Sequence, residues 1–254
     1  MAEPIAIRGV SKNFQTGKTS LMALKDIELD VEAGEFVAIV GASGCGKSTL
    51  LRLIGGLLAP SQGEIRIGDK AVTEPNPGIG IVFQTPVLLP WRTVQENVRL
   101  PLDIQRTARD PERIGKLLEL VGLRGFESSS PFELSGGMQQ RVALCRALVT
   151  DPSLLLMDEP FGALDALTRE QMNLELQRVW MDTGKTVLLI THSITEAVML
   201  ADRVVVMTPR PGRIQEIISV EMPRPRDFSS LRDPAFHSAC DRIRTLMNAS
   251  GFVE

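Results

Sequence analysis

The sequence lacks an apolar run long enough to cross a lipid bilayer. A membrane-spanning helix needs about 18 or more largely apolar residues in succession, and no stretch approaches that length. The first residues also lack the charged and then apolar pattern of a targeting segment. Together these absences predict a cytoplasmic protein.

The sequence also lacks an excess of basic residues. Its 28 Lys and Arg residues stand against 31 Asp and Glu residues, whereas proteins that bind many nucleic-acid phosphates are usually basic. We therefore expect no nucleic-acid partner. The cysteines, Cys45, Cys145 and Cys240, are odd in number and lack metal-ligand spacing, which argues against a disulfide framework and a zinc site and fits a reducing compartment.

Apolar runs without alternation are the main structural signal that is present. Such runs are typical of strands that are buried on both faces of a parallel sheet. They are residues 35–40, 154–157, 186–190 and 204–207. Helical patterns, such as residues 167–181, separate them. The order predicts an α/β fold with a mostly parallel main sheet.

Three further regions are expected around this sheet. Residues 88–150 have helical patterns without strong strand candidates, which predicts an inserted helical subdomain. The alternating apolar residues before Gly34 predict a small antiparallel β subdomain. We assign residues 1–225 to one domain with these additions and residues 226–254 to a peripheral C-terminal helical tail.

A glycine-rich segment follows the first buried run and precedes a helical pattern. It fits G-x-x-x-x-G-K-[ST], the phosphate loop of a P-loop NTPase core. Glycines let successive backbone N–H groups face phosphates, while Lys47 adds a positive charge and Ser48 an oxygen for Mg²⁺. A chance glycine-rich turn is the alternative, and the flanking strand and helix argue against it. The candidate nucleotide-binding residues here are Gly41, Ala42, Ser43, Gly44, Cys45, Gly46, Lys47, Ser48 and Thr49.

Two carboxylates end the second buried run. Asp158 suits the Mg²⁺ shell, because nucleotide hydrolases hold the metal with a carboxylate at a strand end. Glu159 is the candidate general base, because hydrolysis needs a proton acceptor for the attacking water. The alternative is that two acidic residues merely end a strand.

A phosphate loop alone would fit kinases, GTPases and helicases equally. The segment Leu134-Ser-Gly-Gly-Met-Gln-Gln-Arg141 resembles the signature sequence of the ATP-binding-cassette (ABC) ATPases and has that family's position between the two halves of the phosphate site. Ser135 with Gly136 and Gly137 would open a helix whose hydroxyl and free N–H groups can hold phosphate. The resemblance adds Gln139 to these nucleotide contacts. The segment could also be only a capped helix start.

Other motifs of the ABC ATPases follow in the family's order, and the resemblance extends over residues 5–220. It implies that Phe14 stacks on adenine and that Gln84 joins Mg²⁺ and the attacking water to a membrane partner. It also implies that Asp165 lies at a dimer interface and that His192 is a switch residue near the γ-phosphate. Phe14 could instead be a core residue, and His192 a helix-end residue.

One position departs from the family pattern. The residue after the switch histidine is usually Asp, and here it is Ser193. We interpret the change as mild, because Ser and Asp are comparable helix N-caps and Ser193 with Glu196 has the spacing of a capping box.

The resemblance also implies the assembly. In this family the signature of one subunit closes on the nucleotide that the other subunit holds, so we expect a homodimer, or a heterodimer with a second ABC ATPase, that encloses two ATP molecules. ATP and Mg²⁺ are the implied cofactors. Binding and hydrolysis would drive closing and opening, which membrane subunits convert into alternating access.

A single cassette without a membrane span resembles the separate ATPase subunits of bacterial importers. Residues 88–97, 159–169 and 210–214 look like the importer group for nitrate, sulfonate and taurine. This implies transmembrane permease subunits as partners, a periplasmic or lipoprotein solute-binding protein acting through them, and a position on the inner face of the cell membrane. The alternative is a membrane-associated or soluble ABC ATPase not engaged in solute import, since fold does not fix function.

Two local hypotheses remain. Cys45 lies in the phosphate loop at a helix N-terminus, where partial positive charge favours the thiolate, so we expect a reactive thiol that controls activity. Residues 84–97 contain an apolar cluster that a partner could cover, including Leu88 and Trp91. Packing within the helical subdomain is the alternative reading of this cluster.

Overall fold

A computed structural model describes residues 1–17, 19–107 and 110–249 of the chain. The strands within these ranges are β1 (Ile5–Thr16), β2 (Thr19–Val31), β3 (Phe36–Gly41), β4 (Gln62–Ile67), β5 (Lys70–Ala71), β6 (Ile79–Val82), β7 (Leu154–Asp158), β8 (Thr186–Ile190), β9 (Arg203–Met207) and β10 (Ile214–Ser219). The α-helices are α1 (Lys47–Ile54), α2 (Val94–Gln105), α3 (Pro111–Leu120), α4 (Gly136–Leu148), α5 (Ala166–Thr183), α6 (Ile194–Leu200) and α7 (Pro234–Ala249). Short 3₁₀ turns cover Pro131–Glu133 and Ser230–Arg232.

The main sheet has the strand order β10-β9-β3-β8-β7-β6. The five strands from β9 to β6 are parallel, and the edge strand β10 is antiparallel to β9. All six residues of β3 are buried; Phe36 and Ala38 face one core cluster, and Val37 and Ile39 face the other. Burial on both faces explains the absence of alternation, and the predicted mostly parallel sheet is confirmed.

A second, antiparallel sheet has the order β2-β1-β4-β5. Its inward side chains, such as Ile7 and Ile65, share a core cluster with Leu50 and Leu51 of α1. This sheet therefore covers one face of the main sheet together with α1. The prediction of a small antiparallel subdomain is confirmed, although its strands β4 and β5 were not predicted.

Helices α2, α3 and α4 lie between β6 and β7 in the chain and pack on one another. Their buried residues, including Val98, Leu118 and Leu144, join the core cluster on the other face of the main sheet. The fold thus contains the inserted helical region that the sequence predicts, and the exact domain bounds stay a prediction.

The C-terminal segment is helical, as predicted, but the expectation of a peripheral tail is wrong. The inward face of α7 is buried in the main core cluster through Phe236, Cys240 and Ile243. Just before this helix, Arg226 is 1% exposed and donates hydrogen bonds to four backbone carbonyls, including those of Val198 and Ala201. Burial lowers the pKa of Arg226 to about 10.

None of the helices in the described residues combines the length and the hydropathy that spanning a membrane requires.

Candidate nucleotide site

The site lies at the edge of the main sheet where the parallel strands end. The carboxyl ends of parallel strands meet at one edge, and ligands of open α/β sheets bind in the crevice outside it. The predicted site residues lie at the ends of β3, β6, β7 and β8 or in the loops that follow. In this order they are the phosphate loop, Gln84, the pair Asp158 and Glu159, and His192. A cleft of about 320 Å³ opens there. It is lined by Phe14, Leu21, Ala23, Ser43, Gly44, Gly46, Lys47, Ser48, Thr49, Gln84, Glu159 and Arg210.

The phosphate loop curls tightly before α1. Gly44 and Gly46 have positive φ angles of 72° and 111°, which side chains other than glycine rarely adopt. A Cβ at Gly46 would also lie 2.7 Å from Leu24 Cδ2. Gly46 is the N-cap of α1 and supplies no side-chain cap, so the first N–H groups of the helix can bind an anion.

Lys47 is held inside this curl. Its Nζ donates hydrogen bonds of 2.8 Å to the carbonyl oxygens of Gly41 and Ala42, and the residue is 7% exposed. The ammonium group is therefore fixed within the loop at the site where a phosphate would be held.

Ser48 and Asp158 meet beside the loop. Ser48 Oγ donates to Asp158 Oδ1 over 3.0 Å. Burial, and secondarily the charge of Glu159, raise the pKa of Asp158 against the opposing effect of the Ser48 hydrogen bond. A carboxylate and a hydroxyl are oxygen ligands of the kind that Mg²⁺ prefers. The buried negative charge also makes a cation favourable here, so these residues fit a magnesium ion.

Glu159 receives two side chains on one oxygen. Gln84 Nε2 donates to Glu159 Oε2 over 3.0 Å, and His192 Nδ1 lies 3.4 Å from the same oxygen. The Glu159 side chain is 20% exposed, so water can reach it. Its φ of 48° is unusual for a residue other than glycine, a strain of about 1–3 kcal/mol that tends to occur at functional sites.

The loop after β8 differs from its sequence-based prediction. Ser193 does cap α6, since its Oγ accepts a hydrogen bond from the Glu196 backbone N–H over 3.2 Å. The reciprocal half of the predicted capping box is absent, because the Ser193 N–H donates to Thr191 Oγ1 instead. Glu196 is 4% exposed and bonds with Thr191, and burial raises its pKa. The bond of Glu196 with Thr191 thus takes the place of the reciprocal capping bond to Ser193.

The signature segment lies outside the cleft. Ser135 caps α4 by accepting a hydrogen bond from the Met138 N–H over 3.2 Å. Gln139 Nε2 donates to the carbonyl oxygens of Pro131, just before the segment, and of Leu134. A Cβ at Gly136 would meet nothing within 4 Å, whereas one at Gly137 would lie 2.6 Å from Leu164 Cδ2. Neither these four signature residues nor Asp165 is among the cleft-lining side chains.

Asp165 has a structural role within the chain. Its Oδ1 accepts a hydrogen bond from the Thr168 N–H over 3.0 Å and so caps α5. Hydrogen bonds to Thr168 lower its pKa. The residue is exposed, which leaves the carboxylate free to meet another molecule.

Two residues that sequence reasoning missed tie the signature helix to the Gln84 loop. Gln140 is 2% exposed, and its Nε2 donates to the carbonyl oxygen of Phe83 over 2.9 Å. Arg146 donates to the carbonyl oxygens of Pro86 and Val87 over 2.7 and 2.8 Å. A polar residue on the apolar face of α4 is a sequence signal for such a buried hydrogen bond.

The expectation of a reactive thiol at Cys45 is wrong. Cys45 is 1% exposed, and burial raises its pKa. Lys47 and the loop backbone favour the thiolate, as expected, but desolvation is the larger effect. Cys145 and Cys240 are buried as well.

Fold and site together define a P-loop nucleotide hydrolase: a strand, a phosphate loop and a helix face the acidic end of a parallel strand. Among these hydrolases, the signature segment outside the cleft is typical of the ABC ATPases.

Comparisons with known proteins place the chain in a family. The ABC transporter family profile matches residues 24–162, more than half of the chain. A taurine import ATP-binding protein of Jannaschia sp. is 47% identical over 215 residues, 84% of this chain and 80% of that protein. A bicarbonate transport ATP-binding protein of Synechocystis sp. is 44% identical over 239 residues, 92% and 85% of the two chains.

A solved structure agrees with these sequences. The dimeric post-hydrolysis state of the ATP-binding cassette MJ0796, bound to ADP and phosphate, matches with a TM-score of 0.78 and 35% identity. The match covers 86% of this chain and 100% of that one. The chain therefore belongs to the ABC transporter family, as an ATP-binding and ATP-hydrolysing subunit.

Proposed function

We propose that this chain hydrolyses Mg²⁺-bound ATP as half of a dimer and thereby powers a bacterial importer of a small solute. The observation that carries the proposal is the meeting of Gln84 and His192 on Glu159 Oε2 beside the phosphate loop. This arrangement brings a carboxylate, an amide and an imidazole together at the phosphate loop.

The cleft provides for both ends of ATP. Phe14 lines it on the β1 side, where an aromatic ring can cover adenine. The loop N–H groups and Lys47 would surround the phosphates at the N-terminus of α1. Closing on ATP would let Lys47 exchange a backbone carbonyl for a phosphate oxygen.

Ser48 and Asp158, with Gln84 as a further oxygen ligand, would hold Mg²⁺. When bound, Mg²⁺ would neutralise charge on the β- and γ-phosphates. Gln84 uses its amide nitrogen for Glu159, which leaves its Oε1 as an acceptor or a metal ligand.

Glu159 acts as general base in this proposal. Its carboxylate accepts a proton from water as the water oxygen bonds to the γ-phosphorus and the bond to the ADP oxygen breaks. His192, in contact with Glu159, is suited to hold that carboxylate and to sense the γ-phosphate. Glu159 follows β7 and His192 follows β8, so a small shift between these two loops would separate the two side chains.

A second copy of the chain would complete the site. The signature residues stand apart from the cleft, and Gly136 leaves open space in its own chain. The N-terminus of α4 is then available for the γ-phosphate of a nucleotide that the other subunit holds. The dimeric state of the ADP- and phosphate-bound relative supports this assembly.

The loop after Gln84 is the proposed docking site for the permease subunits. Trp91 is 76% exposed and Val87 is 61% exposed, which is unusual for side chains of this size. An apolar cleft of about 430 Å³ lies nearby, lined in part by Phe83, Pro101 and Ile104. Because α4 also holds this loop, a partner seated here would be linked to both Gln84 and the signature.

A Trp91→Ala variant tests the docking surface. The exposed ring contributes little to the core, so basal ATPase of the isolated chain should stay within about twofold of wild type. Co-purification with the permease should fall about tenfold or more, because exposed Trp residues often dominate interfaces. The matched control is Phe228→Ala, exposed elsewhere at 49%. Unfolding together with loss of ATPase would support packing within the helical subdomain instead.

We propose nitrate, sulfonate, taurine or a related small solute as cargo, since the taurine and bicarbonate proteins are relatives of similar length. The ATPase itself would never touch the cargo. The direct test is ATP-dependent uptake of labelled taurine, nitrate or bicarbonate into proteoliposomes that contain this chain with its proposed permease and solute-binding partners. Uptake that disappears with Lys47→Ala supports import; nucleotide turnover without any uptake favours an ABC ATPase outside solute import.

A further inference from the structure

The segment after β9 has no part in the proposed mechanism, although it reaches the same site. β9 lies beside β3 in the main sheet and runs parallel to it, so the residues that follow both strands meet at one edge. Arg210, three residues after β9, lines the nucleotide cleft. Arg210 is exposed, whereas Gly212 is buried.

Arg210 grips the phosphate loop. Its Nε and Nη2 donate to the carbonyl oxygen of Gly44 over 3.1 and 2.8 Å. In a phosphate loop the N–H groups face the anion, and the carbonyl of a curled residue is turned away from it. The guanidinium therefore bonds to the loop through a carbonyl oxygen that the anion does not use, at a glycine with a φ of 72°.

Gly212 packs against the same loop. A Cβ at this position would lie 2.1 Å from the carbonyl oxygen of Cys45, so only glycine fits. The Gly212 N–H donates to the Ala23 carbonyl over 2.9 Å, and its own carbonyl accepts from the Lys25 N–H over 3.0 Å. The segment is thus wedged between the phosphate loop and β2.

This wedge joins two walls of the cleft. Ala23 of β2 lines one side, and Gly44 of the phosphate loop lines the other. The spacing between the walls fixes how a nucleotide can contact the base side and the phosphate side together. A segment bonded to both walls sets that spacing.

We infer that residues 210–212 form a clamp that fixes the phosphate loop against β2, with Arg210 as a positioning residue for the phosphate chain of a nucleoside di- or triphosphate. The inference rests on the proposed nucleotide site. Arg210 acts on the loop and not on the reacting atoms. Its loss should weaken nucleotide binding more than turnover.

Two physical effects of Arg210 can be separated. A positive charge near the phosphates attracts them, an effect that Lys would keep and that salt screens at an exposed position. The fork of Nε and Nη2 on one carbonyl is particular to Arg, and Lys cannot reproduce it. The clamp requires the fork.

The test measures ADP binding by calorimetry for wild type, Arg210→Ala and Arg210→Lys of the full chain. Arg213→Ala is the matched control, since the Arg213 side chain makes no hydrogen bond or ion pair to the described residues and belongs to the same motif. Thermal unfolding without nucleotide checks that each variant is folded.

For Arg210→Ala we expect a Kd for ADP about five- to tenfold higher, which corresponds to the net contribution of one ordinary hydrogen bond at this solvent-exposed position. Its KM for ATP should rise in step while kcat stays within about twofold, and Arg213→Ala should match wild type. Arg210→Lys should lie closer to Arg210→Ala than to wild type. A Kd change below about threefold for Arg210→Ala, or a Lys variant closer to wild type, overturns the clamp.

Lys47→Ala separates this inference from the function it rests on. If Lys47→Ala still binds ADP like wild type, the proposed site is wrong whatever Arg210 does. If Lys47→Ala loses binding while Arg210→Ala keeps it, the site stands and the clamp is wrong.

Discussion

The phosphate cleft and the signature segment of this chain are built in different ways. At the cleft and its rim, side chains from the loops after different strands of the main sheet meet: Gln84 bonds to Glu159 over 3.0 Å, and His192 lies 3.4 Å from the same Glu159 oxygen. The side chains of Ser135 and Gln139 instead bond to backbone groups nearby in sequence, at the exposed start of α4. The cleft is thus formed by groups that converge on one another. The signature segment instead presents the N-terminus of α4 away from the cleft of its own chain.

Because of this difference, the signature segment does not contribute to the nucleotide cleft of its own chain. A buried strand end fixes a side chain to within small distances, which suits residues that must meet, such as Gln84 and Glu159. A helix N-terminus offers N–H groups outward to whatever approaches. Gln140 and Arg146 of α4 bond to the backbone on either side of Gln84, so hydrogen bonds connect the two regions.

Lys47→Ala should abolish nucleotide binding in the cleft. Removing the ammonium group leaves Gly41 and Ala42 carbonyls without their donor and phosphates without their main charge. We expect ATP affinity to fall at least about a hundredfold by calorimetry, since charged hydrogen bonds contribute about 1.5–3 kcal/mol each. Lys70→Ala, exposed on β5, is the control. Retained binding by a folded Lys47→Ala protein would contradict the placement of the phosphates.

Gly136→Ala should affect only the signature region. The chain has room for this Cβ, and Ala is better than Gly within a helix by about 0.5–1 kcal/mol, so the Tm should stay equal or rise. Monomer ATP binding should be unchanged, while hydrolysis should fall about tenfold or more because the methyl fills the space meant for the partner's nucleotide.

Gly137→Ala provides the contrast. Its Cβ would meet Leu164 at 2.6 Å, so this variant should lower the Tm by packing strain alone. If Gly136→Ala hydrolyses ATP like wild type, no nucleotide approaches this glycine. The proposal that the signature segment contacts the partner's nucleotide would then be wrong.

Asp158→Asn should make the nucleotide-free protein more stable at neutral pH, because it removes a buried negative charge from the cleft region. The folded-state pKa of Asp158 is raised above its usual 3.8, so its protonated form is favoured by folding below pH 3.8 and that contribution is lost as pH rises through the folded-state pKa. At pH 7.5 the neutral Asn should therefore raise the Tm without nucleotide, by about 2–4 °C for a gain of about 1 kcal/mol. The gain should shrink toward pH 4, and hydrolysis should be lost. A lower Tm at pH 7.5 would contradict the burial argument.

The sequence predicted the cleft better than its surroundings. Strands β3, β7, β8 and β9 were predictable because burial on both faces leaves continuous apolar runs, and the phosphate loop has a fixed spacing. The edge strand β10 is only partly buried, and β5 has two residues, so neither carries a clear periodic signal.

Other features depend on tertiary contacts that local patterns do not encode. The helix N-terminus at Cys45 suggested a thiolate, but the side chain is desolvated by packing that only the fold reveals. Ser193 and Glu196 have capping-box spacing, yet Thr191 takes the reciprocal bond. Arg210 reaches Gly44 across 166 residues of sequence.

The central claim is that Glu159 is the base of a site completed by a second chain, and the rate of phosphate release by Glu159→Gln tests it most directly. A general base contributes about 10²- to 10⁴-fold, so turnover should fall at least about a hundredfold while ATP still binds and a nucleotide-bound dimer accumulates in size-exclusion chromatography. Glu170→Gln, exposed on α5, should behave as wild type. Near wild-type phosphate release by Glu159→Gln, in a preparation free of contaminating ATPases, would contradict the account.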